Sequence, residues 1–171
     1  MSRKLSIMAI LVVIVGLSVI ARAYVKGGDR VTQPIAFNHH VHLDSANLQC
    51  VECHRNATTG VFAGLPGKAI CLDCHDIDEE QHTNPQKDAL FAFDDLEEDI
   101  PWRRVTRTRP DVFFPHRRHV TSGKIDCLRC HPNQPKLTKP PAYNQLVMRM
   151  NDCLACHKDR GVSTDCLICH R

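Results

Sequence analysis

Apolar and polar positions are spread very unevenly along this chain. Leu5 to Ala21 is an apolar run interrupted by Ser6, Gly16 and Ser18 and preceded by Arg3 and Lys4. A run of about 17 residues is longer than an ordinary signal-peptide core and at the lower limit for crossing a bilayer. Ala21-Arg22-Ala23 has the small-x-small form of a cleavage site, so a removed signal peptide competes with a retained anchor. With the segment in place from Met1, the expected element is one N-terminal transmembrane helix over residues 1–23. The positive-inside rule puts Arg3 and Lys4 in the cytoplasm and the chain after about Tyr24 on the outer, periplasmic side of the cytoplasmic membrane.

Residues 24–34, with Lys26-Gly27-Gly28-Asp29 and Pro34, read as a linker to a domain over 35–171. Within that domain Pro85 to Leu96 is compatible with a helix. It lies in an acidic stretch, residues 76–99, that holds Asp76, Asp78, Glu79, Glu80 and the run Asp94-Asp95-Leu96-Glu97-Glu98-Asp99. Those charges read as a solvated face, or more sharply as a docking surface. Residues 101–118 turn basic, with Arg103, Arg104, Arg107, Arg109, Arg117 and Arg118 expected to pair with the acidic run or with anionic groups of a cofactor.

The chemistry is concentrated in one recurring pattern. Cys50-Val-Glu-Cys53-His54 returns as Cys71-Leu-Asp-Cys74-His75, Cys127-Leu-Arg-Cys130-His131, Cys153-Leu-Ala-Cys156-His157 and Cys166-Leu-Ile-Cys169-His170. C-x-x-C-H is the attachment signature of c-type haem: two thiols add to the porphyrin vinyl groups and the following His reaches the iron. CxxC also serves zinc ribbons and thioredoxin-like redox sites. Here all ten cysteines fall in the five motifs and each motif ends in His, which neither alternative requires. The expected cofactors are five covalent haem c groups, with His54, His75, His131, His157 and His170 as proximal ligands.

A duplication underlies the first four motifs. Phe37, His39, His42, Cys50 and His54 recur as Phe114, His116, His119, Cys127 and His131, all offset by 77 residues. The duplicated units span 35–76 and 112–158, and the fifth motif, in 159–171, stands outside them. Residues i and i+3 share one face of a helical turn. Each H-x-x-H pair can therefore offer sixth ligands to two different irons, which makes His39, His42, His116 and His119 the distal candidates. A fifth distal ligand is left to Met148 or Met150, just before the fourth motif, or to the remaining histidines, His40 beside a used position and His82 in the acidic stretch; Met is a common axial ligand of c-type haem.

Composition fits this picture. Aromatic residues are 5% of the chain, thin for a conventional core, so the macrocycles supply the missing apolar mass. The expected fold class is a multihaem cytochrome c: mostly irregular, with short α-helices, a haem-packed core, little or no β-structure and the one N-terminal transmembrane helix. The formal charge of +3 is not a nucleic-acid signal. Two propionates and one ferric centre per haem bring the loaded chain to about −2. No phosphate-binding loop or nucleophile–base arrangement stands out. An electron-transfer subunit is expected rather than an enzyme, and the rivals are a stand-alone membrane-anchored quinol dehydrogenase and a multihaem enzyme with an open haem site.

Phe-x-His-x-x-His ahead of C-x-x-C-H resembles class III and c7-type multihaem cytochromes. Ile100-Pro101-Trp102-Arg103-Arg104-Val105, then Pro110-Asp111-Val112-Phe113-Phe114, and the closing Ser163-Thr164-Asp165 before the last motif are similar to the membrane-anchored cytochrome subunit of alternative complex III and of the related quinone reductase complex of sulfate reducers. That resemblance implies a polytopic quinol-interacting membrane subunit and an iron–sulfur/molybdopterin-like subunit as partners. It also implies a monohaem cytochrome c or terminal oxidase beyond them. The family carries a Met three residues before the fourth motif, where this chain has Met150 but not the family's following Gly-Trp.

Overall fold

The computed structural model describes residues 7, 8, 10–18, 30–75, 84–94, 96–144 and 148–170. The chain divides into one unit over Met1–Val31 and a second over Thr32–Arg171. In the first, the described residues 7, 8 and 10–18 are helical, with Ile7, Leu11 and Ile14 among the exposed apolar side chains. No helix among the described residues is long and apolar enough to cross a membrane. The expected span over 1–23 extends on both sides beyond what is described, as does the acidic group Asp76, Asp78, Glu79 and Glu80.

The second unit is built from single turns. Among the described residues its α-helices are α1 (Cys50–Cys53), α2 (Lys68–Leu72), α3 (Pro85–Phe91), α4 (Met150–Asp159) and α5 (Cys166–Cys169). Among the described residues β-structure is limited to an isolated antiparallel bridge between Val112 and His170. Each C-x-x-C-H motif is itself one helical turn. The His N–H donates to the carbonyl of the first Cys in motifs one, two, three and five, at 2.9, 3.0, 2.9 and 2.9 Å. Motif four lies inside α4. A turn this short has no inner hydrogen bonds to spare, so its first N–H groups need outside acceptors. A carboxylate serves each one. Glu52 accepts from Gln49 N, and Asp152 from Arg149 N at 2.8 Å. Asp126 accepts from Leu128 N and Asp165 from Leu167 N, both at 2.8 Å. Motif two borrows its carboxylate from a distant segment: Asp99 Oδ1 accepts from Lys68 N at 2.6 Å and from Ile100 N at 2.8 Å.

The duplication read from the sequence is a duplication of geometry. Both H-x-x-H segments run into a π-helical turn, Val41–Ser45 and Arg118–Ser122. They are closed by Ala46 N→Val41 O at 3.0 Å and Gly123 N→Arg118 O at 2.8 Å. The turn is wider than the α-turn expected from the spacing, so residues three apart splay further, and such widened turns recur at functional sites. Even the left-handed residue after each turn is repeated, Asn47 at φ 55° and Lys124 at φ 47°.

The halves pair reciprocally. His40 N donates to Leu137 O and Arg117 N to Gly60 O, both at 3.0 Å. Shifting either bond by the 77-residue offset and exchanging halves gives the other. That is the signature of a two-fold relation between self-complementary surfaces. Residues 1:1 equivalent under the offset meet at the axis, as Cys50 and Cys127 do.

The protein-only core sits beside motif two. Ile35, Leu90, Phe91 and Ile100 form it, with Cys71, Leu72, Ala89, Phe93 and Trp102 packed around. α3 starts at Pro85 on an Asn84 cap whose side chain accepts from Gln86 N at 2.8 Å. It ends at Phe91, short of the expected Leu96, because the next carbonyls turn away to Lys68. Lys68 Nζ donates to Phe93 O at 2.8 Å, to Asp94 O at 3.2 Å and to Leu96 O. The acidic run is thus not merely solvated: its last member caps α2. Asp99→Ala should cost about 1–2 kcal/mol, as loss of a helix-capping acceptor does, read as a lower denaturation midpoint of the haem-loaded protein.

Candidate haem-attachment sites

The histidines are oriented before any metal is considered. His54 Nδ1 lies 2.8 Å from Gly64 O, a carbonyl turned inward by the left-handed Gly64 (φ 83°). His42 Nδ1 lies 2.8 Å from Asn38 O and His119 Nδ1 3.1 Å from Pro115 O. His116 Nδ1 is 3.0 Å from Val61 O and His157 Nδ1 3.0 Å from Ser163 O. A carbonyl accepts only, so each of these rings carries its proton on Nδ1 and keeps the Nε2 lone pair for a metal. Phe37 and Phe114 hold the second His of each pair by stacking at 4.3 and 4.1 Å, and the first edge-on at 4.8 and 5.2 Å.

Two ring pairs then face each other. His42 and His75 have centroids 6.1 Å apart, and His119 and His157 6.3 Å apart. An imidazole nitrogen sits about 1.1 Å from its ring centroid and about 2.0–2.1 Å from a metal it ligates, so two rings on opposite sides of one metal have centroids about 6.2–6.4 Å apart. An edge-to-face ring contact also spans this range. The Nδ1 contacts of His42, His119 and His157 leave Nε2 of each of these rings free of them. The other two pairs are close neighbours as well. Burial first, then repulsion from His54 and His42, lowers the His39 pKa to about 4. His131 is likewise lowered by burial first, then by His116 and His54. The first His of each pair thus lies near the motif-one or motif-three His of its half, and the second His near that of motif two or four.

The thiols fix the order of the motifs in space. None of the ten forms a disulfide. Burial is the largest cause raising the pKa of Cys53, Cys71, Cys127, Cys130 and Cys153, and a thiol of a neighbouring motif adds to each. Cys53 neighbours Cys74, and Cys71 neighbours Cys53. Cys127 neighbours Cys50, Cys130 neighbours Cys156, and Cys153 neighbours Cys169. Motif two thus adjoins motif one, one adjoins three, three adjoins four and four adjoins five. A cavity of about 350 Å³ lies between motifs one and three, lined by Leu43, Leu48, Cys50, Cys127, Leu128 and Pro135 among others.

The fifth motif differs. Phe113 N donates to Cys169 O at 2.8 Å, and the Val112–His170 bridge brings Asp111 to it. Asp111 Oδ2 lies 3.1 Å from His170 Nδ1, the carboxylate counterpart of the carbonyls above. Arg109 Nε holds the other oxygen at 3.2 Å. Reading the sequence did not single out Asp111 as a site residue; only its place one residue before the Val112 bridge reveals it. Met150 is the first residue of α4, 62% exposed, on the helix whose Cys153 lies against Cys169. Met148 is also exposed. His40 Nδ1 is turned to Pro135 O at 3.1 Å, beside motif three rather than motif five. His82 lies outside the described residues. In the basic segment Arg104 stacks 4.2 Å over Phe62, and Arg109 pairs with Asp111.

These residues fit covalent haem. Ten thiols, none in a disulfide, stand in five turns that each end in a histidine, the donor set that attachment needs. Among the described residues no three His, Cys, Asp or Glu side chains converge as a zinc site needs. A cytochrome c7 and related cytochrome c model matches residues 112–171. The menaquinone reductase multihaem cytochrome c subunit of Nitratidesulfovibrio vulgaris is 31% identical over 165 residues, covering 81% of this chain and 77% of that protein. The chain is a c7-like multihaem cytochrome c, an electron-transfer protein with covalently bound haem c. More particularly, it belongs to the family that holds the N. vulgaris menaquinone reductase cytochrome subunit.

Proposed function

We propose that the chain carries five haem c groups and serves as the electron-transfer subunit of a quinone-linked membrane complex of the alternative complex III or quinone reductase type. The observation that carries this reading is the pair of facing imidazoles at 6.1 and 6.3 Å, one in each duplicated half. Haem c, once attached, supplies a one-electron ferric/ferrous couple at each iron. The chain's own work is to hold, space and saturate the irons. Cys50 and Cys53, Cys71 and Cys74, Cys127 and Cys130, Cys153 and Cys156, and Cys166 and Cys169 anchor the macrocycles. His39 with His54, His42 with His75, His116 with His131 and His119 with His157 would hold four of the irons, and His170 with Met150 the fifth. Were all ten side chains to ligate, no iron would be left open for a substrate, and the chain would do no bond chemistry of its own.

The linear order of motifs supports relay between two ends, motif two and motif five. In this reading residues 1–23 anchor the chain in the cytoplasmic membrane and residues 35–171 lie on its periplasmic side. A polytopic quinol-interacting subunit and an iron–sulfur/molybdopterin-like subunit stand on one side of the relay, and a monohaem cytochrome c or terminal oxidase on the other. The relative from N. vulgaris is by name a subunit of a menaquinone reductase.

The test is an intact mass and haem count joined to a redox-titrated electron paramagnetic resonance spectrum. Five thioether-bound haems are expected, all low-spin. A count of four or fewer, or a dominant high-spin haem that takes up cyanide rapidly, would sink the proposal.

A further inference from the structure

We propose that Asp111 is a positioning residue that lowers the reduction potential of the haem at motif five through its hydrogen bond to His170. The proposal rests on the reading of His170 as an iron ligand. The geometry behind it is specific. The Nδ1 atoms of His42, His54, His116, His119 and His157 meet neutral backbone carbonyls, whereas that of His170 meets a carboxylate oxygen at 3.1 Å. The two residues are 59 apart in sequence. Three contacts hold them together: the Val112–His170 bridge, Phe113 N→Cys169 O at 2.8 Å, and the Arg109 contact on the far oxygen of Asp111.

An anionic acceptor draws the Nδ1 proton further from the ring than a carbonyl does, and so raises the basicity of the nitrogen that faces the metal. A more electron-rich ligand stabilises the ferric state over the ferrous one. The iron then takes up its one electron at a lower potential, with no proton moved. Arg109 Nε lies 3.2 Å from the far oxygen of Asp111 and pairs the carboxylate's charge on the side away from His170. The effect falls on one end of the motif order, where a partner would exchange electrons with the chain. It sets the potential of that end through a carboxylate, where the five rings above rest on carbonyls.

The experiment is a redox titration of the purified haem-loaded protein and its Asp111→Asn variant, with an electron paramagnetic resonance spectrum of each. Asn keeps an acceptor oxygen at the same place and removes the charge. One haem should shift to higher potential, with a displaced low-spin ferric signal, while the other four titrate as before and thermal stability is unchanged. Asp165→Asn is the comparison. Asp165 is also an anion beside motif five, but its carboxylate caps Leu167 N rather than the ligand. Its shift should be clearly smaller. If Asp111→Asn leaves all five potentials in place, or if Asp165→Asn shifts the same haem equally, the carboxylate does not act through the ligand and the proposal is overturned. Should the intact mass show no haem at motif five, the reading of His170 as a ligand fails first, and the two failures are distinguishable.

Discussion

A chain with all ten motif cysteines replaced by serine is expected to lose its cooperative fold from Thr32 onward. Its side chains bury little without the porphyrins. Among the described residues only Ile35, Ala57, Leu90, Phe91, Ile100 and Pro115 are buried, and no large side chain is fully excluded from water. Burying a large apolar side chain contributes about 1.5–3 kcal/mol, while ordering one residue's backbone costs about 1–2 kcal/mol. Four such side chains beside motif two order a short segment, not a domain. The apolar residues inside the motifs point the same way: Leu167 is 78% exposed, and Val51, Leu128 and Ile168 are exposed too. Far-ultraviolet circular dichroism and hydrogen exchange on the serine variant should show a largely unprotected chain with no sharp thermal transition. A melt as sharp and as high as that of the haem-loaded protein would mean that the polypeptide carries its own stability.

The motifs and the duplication were legible in the residues because both are local patterns: five C-x-x-C-H turns and one F-x-H-x-x-H repeated at a fixed offset. The absence of long helices and sheet among the described residues follows from the same source, since one-turn motifs leave little chain for anything longer. What the residues concealed is contact over distance. The widened turn at Val41–Ser45 and Arg118–Ser122 is set by tertiary bonds such as His40 N→Leu137 O, which no spacing announces. Asp99 looked like one charge in an acidic run, and its work as the cap of α2 appears only when residues 31 apart meet. The helix ends at Phe91 for the same reason: Lys68, from another segment, competes for the carbonyls that follow.

The two-fold relation of the halves also explains an asymmetry. Motifs one and three meet at the axis through Cys50 and Cys127 and are related to each other. Motifs two and four are pushed outward, and their environments differ. Motif two is clasped by the only apolar core among the described residues, whereas motif four sits in the ten-residue α4. Adding motif five to the outer end of motif four turns a symmetric set of four into a directed one. A duplicated ancestor would have had equivalent ends; here one end is set in the protein core and the other rests on Asp111.

His119→Ala is expected to convert one haem, and no other, from six-coordinate low-spin to five-coordinate high-spin iron. The His119 ring is fixed by the Pro115 carbonyl at 3.1 Å and by Phe114 stacked at 4.1 Å, and it faces His157 at 6.3 Å. Truncation removes the ligand and leaves a cavity of imidazole size on an otherwise intact turn, so added imidazole should restore the low-spin spectrum. The pairing itself is tested by combination. Cys153→Ala with Cys156→Ala removes the haem of motif four. In that background His119→Ala should produce no high-spin signal, because the iron it would expose is gone. In a background with Cys71→Ala and Cys74→Ala, which removes the haem of motif two, the high-spin signal should persist. His42→Ala should show the opposite dependence, since His42 faces His75 at 6.1 Å. If the high-spin signal of His119→Ala survives loss of motif four and disappears with loss of motif two, the halves exchange their second ligands and the pairing is crossed. If no high-spin signal arises in either single variant, these histidines pack against the haems without ligating them.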